Sequence, residues 1–134
     1  MKGCCLCGRV EYEIGGAPLG TNYCHCRQCR KASGSAFATN AAFEKTIFRV
    51  VRGEDLITAY ESSPGKLRHF CAGCGSPIYS SSSKSPDVVY VRVGTIDDDE
   101  GVRPDIHIHV SSKAPWYEIR DPLPQREKEE DLWF

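Results

Sequence analysis

The sequence predicts a mainly β fold organised around metal, and three observations carry that expectation. Short apolar or alternating segments recur at fairly even spacing, separated by turns rich in Gly, Pro, Ser and Asp. Only residues 27–33 read as a helical turn, lying between a cysteine group and Gly34. Eight cysteines fall into three tight groups.

Residues 9–14 alternate, with Val10, Tyr12 and Ile14 on one face and Arg9, Glu11 and Glu13 on the other. Gly15-Gly16-Ala17-Pro18 then breaks the pattern. Further strands are expected at residues 37–40, 47–51, 56–60, 66–71, 78–80, 88–93 and 105–110. Turn-rich stretches at 52–55, 62–65, 80–86 and 97–104 bound them. Many short strands of this kind suggest an all-β architecture. The tail 125–131 is polar and charged and precedes Leu132-Trp133-Phe134. We expect a frayed end whose last residues dock on the core.

A length of 134 residues fits one domain, taken as 1–134 with the charged tail at about 125–134. Hydrophobic residues at 40% and charged residues at 26% are ordinary for a globular chain, which argues against disorder. Seventeen Lys and Arg against eighteen Asp and Glu give a formal charge of −1, unlike the basic balance of a nucleic-acid binder. No apolar stretch approaches the roughly 20 residues that span a bilayer. The start, Met1-Lys2-Gly3-Cys4-Cys5, carries no apolar signal segment. A cytoplasmic location is the expectation.

In that compartment thiols stay reduced, so a disulfide framework is a poor account of Cys4, Cys5, Cys7, Cys24, Cys26, Cys29, Cys71 and Cys74. Pairs such as Cys4–Cys5 would also close small, strained rings. Short spacings point to zinc instead. Cys5-Leu6-Cys7-Gly8 puts two sulfurs on one face of an extended segment. Cys71-Ala72-Gly73-Cys74-Gly75 has the spacing of a zinc knuckle. Each pair is followed by Gly, which turns the backbone at positive φ without a Cβ clash. Four thiolates close a tetrahedral site, so Cys5, Cys7, Cys71 and Cys74 are expected to hold a structural zinc.

Cys24-His25-Cys26-Arg27-Gln28-Cys29 packs three thiols into six residues. Arg27, Arg30 and Lys31 flank them, and their charges favour thiolates. Three ligands leave tetrahedral zinc one free position, the arrangement of a catalytic site, for water, a substrate thiolate or another side chain. His25 points away from Cys24 and Cys26 if that segment is extended, so it is expected to pack or support rather than ligate. His107 and His109 are expected to share the solvated face of a strand that also carries Ile106, Ile108 and Val110. Cys4 is the spare thiol. Seven bound thiolates and two divalent ions would lower the formal charge from −1 to −4. An anionic substrate would then need local cations, for which Arg27, Arg30, Lys31, Arg68 and Lys113 are the candidates.

With these segments in view, the chain resembles a known family. Gly3-Cys4-Cys5-Leu6-Cys7-Gly8-Arg9-Val10, Tyr23 through Lys31, and Phe70-Cys71-Ala72-Gly73-Cys74-Gly75 are similar to the glutathione-dependent formaldehyde-activating enzymes, the Gfa or centromere protein V domain family. Val91 through Asp97 and His107 through Trp116 fit as well, and the likeness spans about residues 2–124. The resemblance implies several coiled antiparallel β-sheets around zinc, similar to methionine sulfoxide reductase B. It implies two zinc ions per chain, a structural one on Cys5, Cys7, Cys71 and Cys74 and a catalytic one on Cys24, Cys26 and Cys29. It also implies a carbon–sulfur lyase activity that joins glutathione to formaldehyde as S-(hydroxymethyl)glutathione. The family usually has Ser or another small residue where this chain has Cys4. Partners on this reading are a small-molecule thiol and an aldehyde. The alternative is a non-catalytic, zinc-stabilised module that binds a protein, marked by a side chain closing the second site. A redox reading would need a free, low-pKa thiol at a pocket, and only Cys4 is spare.

Overall fold

The computed structural model describes residues 1–128. Among them, ten strands form two sheets. The smaller is antiparallel, with β1 (Lys2–Cys4), β2 (Glu11–Ile14) and β5 (Phe48–Arg52) in the order β1-β2-β5. The larger contains β3 (Gly20–Cys24), β4 (Ala38–Glu44), β6 (Ile57–Ser63), β7 (Lys66–Cys71), β8 (Pro77–Ser82), β9 (Val88–Arg92) and β10 (Ile106–Ile108). Its order is β10-β3-β4-β9-β8-β7-β6. Every pair in it is antiparallel except β10 with β3, so this sheet is mixed. The one α-helix among the described residues, α1 (Arg27–Ser33), links β3 to β4.

The core follows from the alternation. Val10, Tyr12 and Ile14 are buried and meet Ala41, Phe43, Ile78, Val89 and Val91 of the larger sheet. Full burial of a side chain such as Phe43 or Ile78 stabilises the fold by about 2 kcal/mol. Cys5 and Cys71 belong to this same cluster, so the first cysteine group sits at the edge of the main core. Between β6 and β7, Pro64 and Gly65 make the two-residue turn, with Gly65 at φ 79°.

The mainly β expectation holds, and strands occur at every expected position with shifted ends. Two strands went unforeseen. β3 reads Gly-Thr-Asn-Tyr-Cys and buries Thr21 and Asn22, so it shows no apolar alternation. β1 is three residues long and carries only Gly3 and Cys4 after a lysine. β4 runs on through Ala41, Ala42 and Phe43, because a central strand buries alanines that have little strand propensity of their own.

The expectation for His107 and His109 is corrected. β10 ends at Ile108, and His109 takes the left-handed conformation with φ 56° and ψ 39°, so the two do not share a face. His107 is fully buried. The free side of β10 is covered by the chain around Gln125: the His107 N–H donates to the Pro124 carbonyl at 2.9 Å, and the Arg126 N–H to the His107 carbonyl at 2.9 Å. The expected docking of Leu132-Trp133-Phe134 falls outside the described residues.

Candidate functional site

The sulfurs of Cys5, Cys7, Cys71 and Cys74 all lie within 4.8 Å of one another. Cys5 and Cys7 are 3.5 Å apart, and Cys7 and Cys71 are 3.9 Å apart. Tetrahedral zinc with Zn–S bonds of about 2.3 Å places sulfurs about 3.8 Å apart, so this group fits a metal. Local turns make the group. The Gly8 N–H donates to the Cys5 carbonyl and the Cys5 N–H to the Val10 carbonyl, while the Gly75 N–H donates to the Cys71 carbonyl. Gly8 and Gly75 sit at φ 78° and 79°, as a turn directly after a ligand requires.

Donors also reach the sulfurs themselves. The Val10 N–H donates to Cys5 Sγ at 3.3 Å, and Arg9 Nε to Cys7 Sγ at 3.4 Å. The Arg9 backbone and guanidinium hold the Cys7 thiol below its ordinary range. The Ser76 hydroxyl and N–H pull Cys74 down to about 5, whereas burial pushes Cys71 up. Cys4 stands apart, its thiol donating to Asp97 Oδ2 at 3.3 Å. That hydrogen bond raises its pKa, which is the wrong direction for a nucleophile.

Cys24, Cys26 and Cys29 form the second group, again with all sulfurs within 4.8 Å. Cys24 ends β3, Cys26 caps α1, and Cys29 lies in its first turn. The cap itself joins two members: the Cys29 N–H donates to Cys26 Sγ at 3.3 Å. Hydrogen bonds from Cys24 and Cys26, then the charges of Arg92 and Arg68, drive the Cys29 thiol strongly down. Cys24, which keeps its proton to donate, is driven up. Among the described residues, no His, Asp or Glu joins these three sulfurs at metal-ligating spacing.

The second group opens on a cavity of about 360 Å³. Four cations line it, Arg27, Lys66, Arg68 and Arg92, and no Asp or Glu does. None of these four enters an ion pair among the described residues. Arg92 Nη1 donates to Asn40 Oδ1 at 2.7 Å, to Ser80 Oγ and to the Tyr90 carbonyl. Arg68 Nη2 donates to Gln28 Oε1 at 3.3 Å, and both its terminal nitrogens lie 3.9 Å from Cys29 Sγ. Asn22, Asn40 and Ser80 are buried polar residues of central strands that line this cavity.

Of the cations expected near an anionic substrate, the structure brings Arg27 and Arg68 to the cavity. Arg30 and Lys31 are absent from its lining, and Lys113 turns its ammonium to the Ala114 and Tyr117 carbonyls. Lys66 and Arg92 were missed. Both lie far along the chain from the cysteines and reach the cavity only through the sheet order, which no local pattern reveals. The charges that act most on Cys29 are those of Arg92 and Arg68, which come from distant strands rather than from the flanking residues. His25 is fully buried and stays out of the thiol group, its ring among Phe37, His107 and Tyr117. No helix among the described residues is long and apolar enough to cross a membrane.

Comparison with known proteins points to one family. The family model for the glutathione-dependent formaldehyde-activating enzyme matches residues 1–112. A Halomonas elongata protein carrying that family's name is 31% identical over 128 residues, covering 89% of this chain and 80% of its own. A crystal structure of a Rhodobacter sphaeroides protein is similar with a TM-score of 0.63 at 31% identity, over 78% of this chain and 92% of that one.

Proposed function

The chain belongs to the glutathione-dependent formaldehyde-activating enzyme family, and on that premise we propose that it is a zinc-dependent carbon–sulfur lyase acting on a thiol and a small aldehyde. Glutathione and formaldehyde are the substrates this reading favours. Residues 1–134 act as one cytoplasmic domain with two zinc sites. Cys5, Cys7, Cys71 and Cys74 hold the structural ion, and Cys24, Cys26 and Cys29 the catalytic one. The observation that carries the reading is a three-thiol group opening on a cavity with four cations and no acid.

A zinc ion held by Cys24, Cys26 and Cys29 would supply a Lewis-acidic position open to a substrate sulfur or oxygen. The protein does the rest. Three thiolates and one divalent ion sum to −1, which the charge of Arg92, half-buried and acting on Cys29, offsets. Lys66, Arg68 and Arg27 then remain for an anionic substrate, and glutathione carries two carboxylates besides its sulfur. Held there, the thiol is set against the aldehyde as a near neighbour rather than met by diffusion. The sulfur bonds to the carbonyl carbon, and the thiol's proton ends on the carbonyl oxygen, with no change of oxidation state.

Cobalt substitution tests this reading, because cobalt shares the tetrahedral preference and its thiolate complexes absorb intensely. Glutathione added to the cobalt protein should strengthen that absorption, and S-methylglutathione should not. The Cys26→Ser variant should lose most of the response. A spectrum indifferent to glutathione and to small thiols would replace the enzyme with the non-catalytic module. A response to small thiols alone would keep the chemistry and discard glutathione.

A further inference from the structure

The geometry points to a positioning role for Asp121: through His107 and His25 it fixes the Cys24-His25-Cys26 segment, and with it the second metal group. Asp121 lies beyond the residues that the family model matches. Its carboxylate oxygens stand 2.9 and 3.1 Å from His107 Nε2. His107 Nδ1 is in turn 2.8 Å from His25 Nε2. Both imidazoles are fully buried. His25 is flanked on each side by a member of the thiol group, so the peptide units that orient its ring also orient two sulfurs.

The chemistry of the row gives it one direction. A carboxylate can only accept, so His107 must carry its proton on Nε2. With neutral rings, His107 Nδ1 is then an acceptor, and His25 must donate from Nε2. His25 Nδ1 is left with a bare lone pair, and that atom is indeed buried without a hydrogen-bond partner among the described residues. Leaving a buried acceptor unmade is unfavourable, and here it follows from committing the opposite nitrogen to the row. Packing removes the other freedom, ring rotation. His25 meets Phe37 edge-on with centroids 5.3 Å apart, and His107 stacks on Tyr23 at 4.9 Å. The His25 N–H is bonded to the Ile108 carbonyl at 3.0 Å, which ties the segment to β10. Asp121 is fixed as well, accepting the Leu123 N–H at 3.0 Å on the stretch that covers β10.

The inference rests on the three thiols holding a metal, as proposed above, but not on glutathione or formaldehyde. Two measurements test it. Long-range nitrogen–proton NMR of protein labelled at histidine should show His25 and His107 both protonated at Nε2; a proton on His25 Nδ1 overturns the assignment without any variant. Cobalt titration then reads the two thiol groups separately, with Cys26→Ser used to assign their bands. In Asp121→Ala the second group should bind cobalt about ten-fold more weakly, the size expected when a partner that orients a metal site is removed. The four-thiol group should be unchanged, and Asp121→Glu should restore most of the loss. Equal weakening of both groups would mean a general loss of stability and overturns the role. Binding within two-fold of wild type overturns it too. If wild-type protein binds no cobalt at Cys24, Cys26 and Cys29, the metal reading fails and this inference with it.

Discussion

The first thiol group draws sulfurs from chain segments 64 residues apart, whereas the second takes all three from residues 24–29. The first sits at the edge of the main core, with Cys5 and Cys71 buried in it; the second belongs to a small separate cluster with Ala38 and Ile108. A metal on the first would cross-link β7 to the loop before β2 and would be part of folding. On the second it would order one turn and leave a face to the cavity. The same element, cysteine at short spacing, therefore serves two ends according to how far apart its partners are in the chain.

The largest expected effect breaks the long-range group. Cys74→Ser removes one of four ligands from a site whose metal ties distant segments. Structural zinc contributes on the order of 10 kcal/mol in small zinc domains, comparable with the whole stability of a typical protein. We expect little soluble folded protein, read by circular dichroism and by recovery after purification. A folded variant with a normal melting curve would mean that this group does not staple the fold. Wild-type protein purified without chelator should carry about two zinc ions per chain, following the four-plus-three ligand sets.

Next comes Cys26→Ser, the local counterpart. It should leave the protein folded, with the first site filled and the second largely empty. Serine is itself a favoured helix cap, so its hydroxyl can accept the Cys29 N–H in place of the sulfur and α1 should stay formed. Loss of global folding in this variant would erase the contrast between the two groups.

Both cysteine groups were legible in the sequence because metal ligation at short spacing is a local property. Residues 5, 7, 71 and 74 were expected together, and so were 24, 26 and 29; the structure brings each set within 4.8 Å. What surrounds the second group was legible only in part: Arg27 and Arg68 were expected near an anionic substrate, whereas Lys66, Arg92 and their polar neighbours were not. Arg92 lies opposite Asn40 across β4 and β9, and Arg68 opposite Ser80 across β7 and β8. Those meetings are set by strand register, and the polar face of β3 concealed that it was a strand at all. His107 was placed in solvent because it alternates with Ile106 and Ile108. Alternation says that two faces differ, and it does not say that the polar one is wet. Here the buried polar face is the one that carries the Asp121 row.

A smaller effect sharpens the account of the cavity. Lys66→Gln removes a cation that touches neither thiol group. Glutathione should bind the cobalt protein about five-fold more weakly, ~1 kcal/mol for one partly screened charge. 2-Mercaptoethanol, which has no carboxylate, should bind as before. The wild-type preference for glutathione should also shrink as salt is raised. Equal loss for both thiols would mean that Lys66 shapes the cavity rather than reading charge.

The smallest effect concerns protons beside the local group. Burial first, with nearby positive charge such as that of Lys113 adding to it, pulls His25 down to about 4 from an ordinary value near 6.5. The sign follows from linkage. Between pH 6.5 and 4 the unfolded chain takes a proton on His25 that the folded chain refuses, so this residue favours unfolding increasingly as pH falls through that window. Above pH 6.5 both states are neutral, and below pH 4 both are charged, so the slope vanishes on either side. Inside the window it is at most about 1.4 kcal/mol per pH unit for one proton. Following the His25 ring by NMR should show it neutral down to about pH 5. Titration near 6.5 would mean that the ring reaches water, and the segment between Cys24 and Cys26 would then be as loosely held as an exposed loop.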